Sequence, residues 1–371
     1  MKITRISVHI VALDRNVVNT RYVSEDSLAV DLETTILRVE TDTDLVGWGE
    51  TCTAPSYYLP TLASGARAAI AHVVPLILGA DPRRINWIMA RIDTAMRGQG
   101  PAKSAIEMAL WDLKGKAHGL PLVYLWGGPV AKDMAMMCVV DVGTPDQMLA
   151  ETAHYRAQGY KFYQQKIGEG IAGDEIGRIT TLMADKREDE VFWFDPNRAW
   201  TIAQGMAVLP RVVDLTPIIE NPCETYEECK TLSKAMGLPM MLDEVLTGPD
   251  ILRQAAKEGI IQSAVLKLSS TGGLRHHRQM LDVAQQHGLA CRIEDFYGTG
   301  LTLAAVCHLA QSLPEAATFA LYDFQNDDVP VVSNPFRMQN GRVSVPEDCG
   351  PGLGVSVDPH VIGAPVADYV L

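Results

Sequence analysis

Apolar and polar residues alternate along the first 50 residues of the chain, and the pattern then changes to a helical one. Alternation with a period of two predicts an antiparallel meander of strands, in three runs: 3–10, 28–39 and 46–50. From Leu62 onward, and again over 102–113, apolar residues recur at three- and four-residue steps, which predicts helices. We therefore expect residues 1–126 to form an α+β capping domain.

Beyond residue 127 short β-rich runs alternate regularly with amphipathic segments. Thr144-Pro145 predicts the start of the first helix, with a capping hydroxyl before a proline at the first helical position. Strands that alternate with helices lie parallel, and eight in succession favour a closed (β/α)8 barrel, a modified TIM barrel, over 127–330. The eight predicted strands are 136–141, 161–167, 191–195, 218–220, 240–243, 264–267, 290–293 and 317–321.

The alternative architecture is a doubly wound sheet, but no G-x-G-x-x-G motif follows the first strand of this run. The segment 331–371 is rich in proline and glycine and starts no new strand–helix unit. We expect it to return to the capping domain.

Composition narrows the possible partners. The 371 residues are 47% hydrophobic and 21% charged, which is typical of a globular chain. The net charge is −13 and no basic stripe with interleaved aromatic residues occurs, so neither nucleic acid nor a membrane surface is an expected partner. Seven scattered cysteines without a C-x-x-C pair predict reduced thiols and a cytoplasmic location. We also expect a homo-oligomer.

The predicted strands end in charged residues, and in a parallel barrel these ends line one pocket. Neighbouring carboxylates repel each other unless they are protonated or bind a hard cation. Oxygen ligands favour Mg²⁺, with Mn²⁺ as an alternative. Any one of these acids is equally well explained as a turn or helix-capping residue, but three in succession between two lysines are not. In chain order the ends carry Lys166, Asp195, Glu220, Asp243, Lys267, Glu294 and Asp295.

A metal ion between two lysines predicts removal of the α-proton of a carboxylate substrate. The cation would bind the substrate carboxylate and stabilise the enediolate that forms as the proton leaves. Lys166 and Lys267 come from opposite sides of the three acidic strands, so we expect them to serve opposite faces of the α-carbon. Each must be neutral to act as a base, and burial beside a divalent cation lowers the pKa of a lysine.

Five segments surround these residues: Lys166-Ile-Gly, Phe194-Asp-Pro-Asn-Arg, Ile219-Glu-Asn-Pro, Leu242-Asp-Glu and Leu266-Lys-Leu-Ser-Ser-Thr-Gly-Gly. As a set they resemble the motifs of the enolase superfamily, in its muconate-lactonizing and mandelate-racemase-like branch, and Leu242-Asp-Glu and the element from Lys267 to Gly273 are the most specific of them. The resemblance covers essentially the whole chain, and it implies metal ligands at Asp195, Glu220 and Asp243 and catalytic bases at Lys166 and Lys267.

The same resemblance implies that Asn197 and Glu244 support the ligands. Many members carry Lys-x-Lys in the second barrel strand, whereas Gln164 stands at the first of these positions here. That change removes one ammonium that would lower the pKa of Lys166, so we place Gln164 among the supporting residues.

Four residues are predicted substrate contacts: Tyr58, Glu294, Asp295 and Tyr322. The tyrosines would form an aromatic wall and Asp295 an anionic partner for a positively charged nitrogen, although the tyrosines are equally well explained as packing residues.

The loop over 49–60 and the run over 195–200 are similar to those of enzymes of hydroxyproline and proline-betaine catabolism. This implies dehydration of a proline-type imino acid, as in cis-3-hydroxy-L-proline dehydratases. The alternative is racemisation or epimerisation of an amino acid, a proline betaine or a hydroxyproline betaine, because both reactions begin with α-proton removal. A non-catalytic barrel or a sugar-acid-binding protein is a more remote alternative, since neither needs two bases.

Overall fold

The computed structural model describes residues 1–13, 33–53, 61–322 and 329–371. The capping domain is an antiparallel sheet covered by helices, as the alternating pattern predicts, although residues 28–32 of the second predicted run lie outside the described residues. Its elements are β1 (Ile3–Ala12), β2 (Glu33–Thr41), β3 (Val46–Thr51), α1 (Ala63–Ile77), α2 (Ile85–Ala95) and α3 (Gly100–His118).

Helix α3 packs directly on strand β3. A Cβ atom on Gly49 would lie 1.9 Å from the carbonyl oxygen of Ala105, and one on Gly47 would lie 2.4 Å from that of Ala109. Only glycine lets the two backbones approach this closely. The buried side chains of Ile6, Leu37 and other sheet residues then form one core with those of the helices.

The eight parallel strands predicted beyond residue 127 are present and form a barrel. The strands are β4 (Met134–Val140), β5 (Phe162–Lys166), β6 (Val191–Asp195), β7 (Ile218–Ile219), β8 (Met240–Leu242), β9 (Ile261–Lys267), β10 (Ala290–Glu294) and β11 (Thr318–Tyr322). Their order in the sheet is β7-β6-β5-β4-β11-β10-β9-β8, and a parallel bridge between Glu220 and Met241 joins the two ends.

Short helix α4 (Leu122–Leu125) leads into the barrel, and helices alternate with its strands. Three of these helices begin with a capping box, in which a threonine and the third helical residue satisfy each other's backbone groups: Thr144 with Gln147, Thr201 with Gln204 and Thr225 with Glu228. The helices are α5 (Pro145–Ala157), α6 (Ala172–Asp185), α7 (Ile202–Val208), α8 (Tyr226–Met236), α9 (Pro249–Glu258), α10 (Leu268–Thr271), α11 (Leu274–Gln286) and α12 (Gly300–Gln311).

The C-terminal segment contacts both parts of the molecule. Strand β12 (Arg342–Val343) pairs with β4 of the barrel, and after α13 (Pro359–Ile362) strand β13 (Ala367–Val370) pairs antiparallel with β1 of the capping domain. All seven cysteines are free thiols, and six of them are buried. Within the described ranges no helix is long and apolar enough to cross a membrane.

Glu50, at the end of β3, ties the capping domain to the barrel. Its side chain is fully buried, and Thr34 donates to its Oε1 at 2.8 Å. Its Oε2 accepts four hydrogen bonds from the start of α12: two from backbone N–H groups and two from hydroxyls of Thr299 and Thr302, at 2.7–3.1 Å. A carboxylate of one domain therefore caps a helix of the other.

Candidate active site

The predicted metal ligands and bases gather at the carboxyl-terminal end of the barrel. The strand register places Lys166 opposite Asp195 and Lys267 opposite Glu294. Glu220 and Asp243 follow directly after β7 and β8, so both stand at the same end as the others. All five residues that the sequence singled out as ligands or bases are at most 9% exposed, which concentrates their charges in a poorly hydrated space.

Lys166 is held by two neighbours on the next strand and its loop. Its Nζ donates to Asp195 Oδ2 at 2.6 Å and to Asn197 Oδ1 at 2.7 Å. Because strand residues alternate between faces, Gln164 lies on the same face as Lys166, and its amide donates to Asp195 at 2.9 Å and to Glu220 at 2.8 Å. Gln164 thus bridges two predicted ligands.

Lys267 lies on the other side of the acidic strands. Its Nζ donates to Asp243 Oδ2 and lies 3.2 Å from Glu294 Oε1. The ring of Phe296 faces the same ammonium, 5.2 Å from ring centre to Nζ. Two carboxylates and an aromatic face therefore surround this lysine.

Sequence reasoning missed Arg292, although it is 2% exposed and lies among the predicted ligands. Its Nη2 donates to Glu220 Oε1 at 2.7 Å and its Nη1 to Glu220 Oε2 at 2.8 Å, a bidentate pair. Nη2 also donates to Glu294 Oε1 at 3.2 Å. The sequence did offer a sign of this position: residues two apart in a strand share a face, so Arg292 lies on the same face of β10 as Glu294.

Acids outnumber cationic side chains in this cluster. Lys166, Lys267, Arg292 and Arg198, the last at 3.7 Å from Glu244, face five carboxylates, and the buried Oε2 of Glu244 has no hydrogen-bond partner among the described residues. The remaining negative charge favours a cation, and the oxygen-only set of donors suits a hard ion such as Mg²⁺. The five acids are Asp195, Glu220, Asp243, Glu244 and Glu294.

The carboxylates are paired with cations one by one. Asp195 bonds Lys166, Asp243 bonds Lys267, and Glu220 bonds Arg292. Accordingly, no three acidic, histidine or cysteine side chains of the described ranges converge on one point as a metal site. The chemistry of the donors fits a metal ion, which would share or replace the ammonium partners of Asp195 and Asp243.

These pairs determine the pKa values in the site. Burial raises the pKa of Asp195 to about 6, with a further contribution from the charge of Glu220. For Glu220, burial acts in the same direction, but the charge and hydrogen bonds of Arg292 outweigh it and bring the pKa to about 2. Burial raises the pKa of Glu244 to about 8, reinforced by the charge of Asp243.

Carboxylates govern the pKa of both lysines in the protein without a metal ion. Burial lowers the pKa of Lys166 and Lys267, but nearby carboxylates outweigh it and raise both values above the ordinary one. The lowered pKa expected from the sequence applies beside a bound divalent cation and stays a prediction. A neutral base at this site requires another cation to take over those carboxylates.

A cavity of about 280 Å³ opens beside Lys267, between the capping domain and the barrel. Asp243, Glu244 and Phe296 line it from the barrel, and Gly100 lines it at the start of α3. Such a volume suits a small ligand. Sequence reasoning assigned no role to Arg198 and Ser269, which also line the cavity.

The four predicted substrate contacts stay predictions. Tyr58 lies outside the described residues, and Tyr322 packs against the apolar cluster inside the barrel. Glu294 bonds Arg292 and Lys267 as described. Asp295 is 1% exposed, and its oxygens accept three hydrogen bonds, two from Ser269 and one from Phe296.

Known proteins match this chain over most or all of its length. Cis-3-hydroxy-L-proline dehydratase of Roseibium aggregatum is 36% identical over 371 residues, which is 100% of both chains. L-Ala-D/L-Glu epimerase of Bacillus subtilis is 28% identical over 340 residues, 87% of this chain and 89% of that protein. An enolase superfamily member from Roseovarius nubinhibens, crystallised with magnesium, superposes with a TM-score of 0.91 at 35% identity and 100% coverage of both chains.

Two family models match along the sequence. Residues 18–127 match the mandelate racemase / muconate lactonizing enzyme N-terminal domain. Residues 147–361 match the enolase C-terminal domain-like family. Together with the capping sheet, the closed barrel and the acids and lysines at its strand ends, these matches establish that the chain is an enzyme of the enolase superfamily, in its mandelate racemase and muconate lactonizing branch.

Proposed function

We propose that this enzyme removes the α-proton of a proline-type imino acid and eliminates water from it, with cis-3-hydroxy-L-proline as substrate. The observation that carries the proposal is the pair of buried lysines on opposite sides of three buried carboxylates, Lys166 at the end of β5 and Lys267 at the end of β9. The dehydratase from Roseibium aggregatum, similar over its full length, supports this choice of substrate.

Asp195, Glu220 and Asp243 would hold a magnesium ion in this proposal. When bound, the ion supplies positive charge to the substrate carboxylate as the α-proton leaves. Gln164 and Arg292 keep Glu220 in place, because their three hydrogen bonds fix both of its oxygens.

The lysines carry out the proton transfers. A lysine whose carboxylate partner is taken over loses the charge that raises its pKa, so it becomes neutral more easily and accepts the α-proton. The other lysine, still an ammonium, donates a proton to the leaving 3-hydroxyl. One C–H and one C–O bond break, a ring double bond forms and water departs, and the enamine then tautomerises to a cyclic imine.

A second candidate is racemisation or epimerisation by the same two lysines. A substrate without a β-hydroxyl offers no leaving group, so the carbanion is reprotonated from the other face. The similarity to L-Ala-D/L-Glu epimerase supports this second candidate. In either case the substrate would be a small carboxylate with a cationic nitrogen, contacted by Tyr58, Glu294 and Tyr322.

Seven free thiols suit a reducing cytoplasm, and we propose a homo-oligomer there.

The test is proton NMR of the magnesium-loaded enzyme in deuterium oxide, with cis-3-hydroxy-L-proline, proline and proline betaine as substrates. We expect consumption of the hydroxyproline to a cyclic imine and only α-proton exchange or inversion with the other two. Chelator-treated enzyme and the Lys166→Ala and Lys267→Ala variants are the controls, and each should lose net conversion. Turnover of a hexonate without exchange in any proline derivative would contradict the proposal.

A further inference from the structure

Asp295 holds the backbone that directly follows Lys267. Strand β9 ends at Lys267, and two residues later the N–H of Ser269 donates to Asp295 Oδ1 at 3.1 Å. The hydroxyl of Ser269 donates to Asp295 Oδ2 at 2.7 Å. Both oxygens of one buried carboxylate therefore clamp the turn from β9 into α10.

The same carboxylate also holds the backbone of Phe296, the residue whose ring faces Lys267. Asp295 Oδ1 accepts the N–H of Phe296 at 2.9 Å, and the Phe296 ring lies 5.2 Å from Lys267 Nζ. The amino group is thus constrained from its own backbone and from the neighbouring ring, and Asp295 anchors both.

The capping domain supports this clamp from the other side. Thr51 at the end of β3 and Ser269 share a hydrogen bond between their hydroxyls at 3.0 Å. A Cβ atom on Gly100 would lie 2.1 Å from the carbonyl oxygen of Ser269, so α3 also begins against this turn. Ser269 is therefore held on three sides, by Asp295, β3 and α3.

From this geometry we propose that Asp295 is a positioning residue for Lys267, acting through Ser269 and Phe296, and that it does not bind the substrate. The inference rests on the proposed function, in which Lys267 serves one face of the α-carbon. Lys166 is held by different groups, Asp195 and Asn197. Loss of the clamp should consequently impair proton transfer on the Lys267 face and leave the Lys166 face intact.

The first experiment compares α-proton exchange into deuterium oxide for the two enantiomers of proline, after Lys166→Ala and Lys267→Ala have shown which lysine serves which enantiomer. Asp295→Asn keeps the shape of the side chain but cannot accept both Ser269 hydrogen bonds. Displacing a catalytic group by about 1 Å can cost about 100-fold in rate, so we expect a loss of up to about that size in kcat on the Lys267 face alone, with KM unchanged.

Three matched variants are compared with Asp295→Asn in the same exchange experiment. Ser269→Ala removes the hydroxyl half of the clamp and should show a smaller loss on the same face, whereas Ser269→Thr keeps the hydroxyl and should recover activity. Asn197→Ala should impair the Lys166 face instead. A rise in KM for cationic substrates, or an equal loss on both faces in Asp295→Asn, would overturn the positioning role.

A second experiment needs no substrate and so separates this inference from the proposed function. Acetic anhydride labels neutral amino groups, and mass spectrometry gives the labelling rates of Lys166 and Lys267 separately. In Asp295→Asn we expect the rate at Lys267 to rise, because its turn is released, while that at Lys166 stays unchanged. An unchanged ratio would refute the inference. Absence of exchange in the wild-type enzyme would instead refute the proposed function.

Discussion

Replacing Arg292 by methionine should destabilise the protein strongly in the absence of magnesium. A methionine side chain fits the surroundings, because the guanidinium lies 5.6 Å from the ring of Trp193 and 3.8 Å from the sulfur of Met241. The substitution nevertheless leaves both oxygens of the buried Glu220 without their bidentate partner. Removing one member of a buried pair costs about 3–5 kcal/mol. This is a large part of a typical unfolding free energy of about 5–15 kcal/mol.

Magnesium should restore part of that loss. The variant has one positive charge fewer beside the predicted ligands, so it should bind the ion more tightly, and binding to the folded state alone raises its stability. Urea unfolding followed by tryptophan fluorescence, with magnesium and with chelator, measures both effects. Arg83→Met is the matched control, since Arg83 pairs with Asp81 at the surface and its loss should change stability by about 1 kcal/mol at most. An Arg292→Met variant as stable as this control would refute the reasoning.

Three further predictions concern the metal, the bases and a buried acid. Glu220→Gln should weaken magnesium binding, measured by titration calorimetry, and lower turnover steeply, because a ligand charge is lost while the shape is kept. Lys166→Ala and Lys267→Ala should each abolish net conversion yet retain exchange with opposite substrate enantiomers, so identical stereochemistry in the two would contradict two-face catalysis. Burial raises the pKa of Glu107 on α3 to about 7, so its proton is held more tightly in the folded state and stability should fall as pH rises from about 4.5 to 7. Glu107→Gln, followed by thermal unfolding across this range, should flatten that decline.

The strand pattern sufficed to predict the barrel, because parallel strands buried on both faces read as short apolar runs with a charged residue at their end. The predicted run 191–195 coincides with strand β6. Strand β9 ends where the predicted run 264–267 ends, but it begins earlier, at Ile261. Glu220 stands just beyond β7, where a single bridge to Met241 replaces regular pairing. A boundary of that kind depends on the partner strand, which the local sequence does not contain.

Charges inside the barrel were harder to predict. A buried arginine within a strand runs against the ordinary preference of that residue for the surface, so Arg292 is unexpected without knowledge of the carboxylates around it. The same holds for the lysines, whose pKa depends on which acids pair with them. Asp295 was predicted as a substrate contact from its place at the end of a strand, whereas two of its three hydrogen bonds come from Ser269, which only the fold brings beside it.

Glu50 has a consequence for any exchange of parts between relatives. Its side chain receives hydrogen bonds from its own sheet and from the first turn of α12, so neither the capping domain nor the barrel is complete at this point without the other. A chimera that joins this capping domain to another barrel would bury the Glu50 carboxylate with Oε2 lacking its four donors unless Thr299 and Thr302 were transferred with it. Recombination of capping domains, as a route to new specificity, is therefore constrained by a polar contact far from the lysines in sequence.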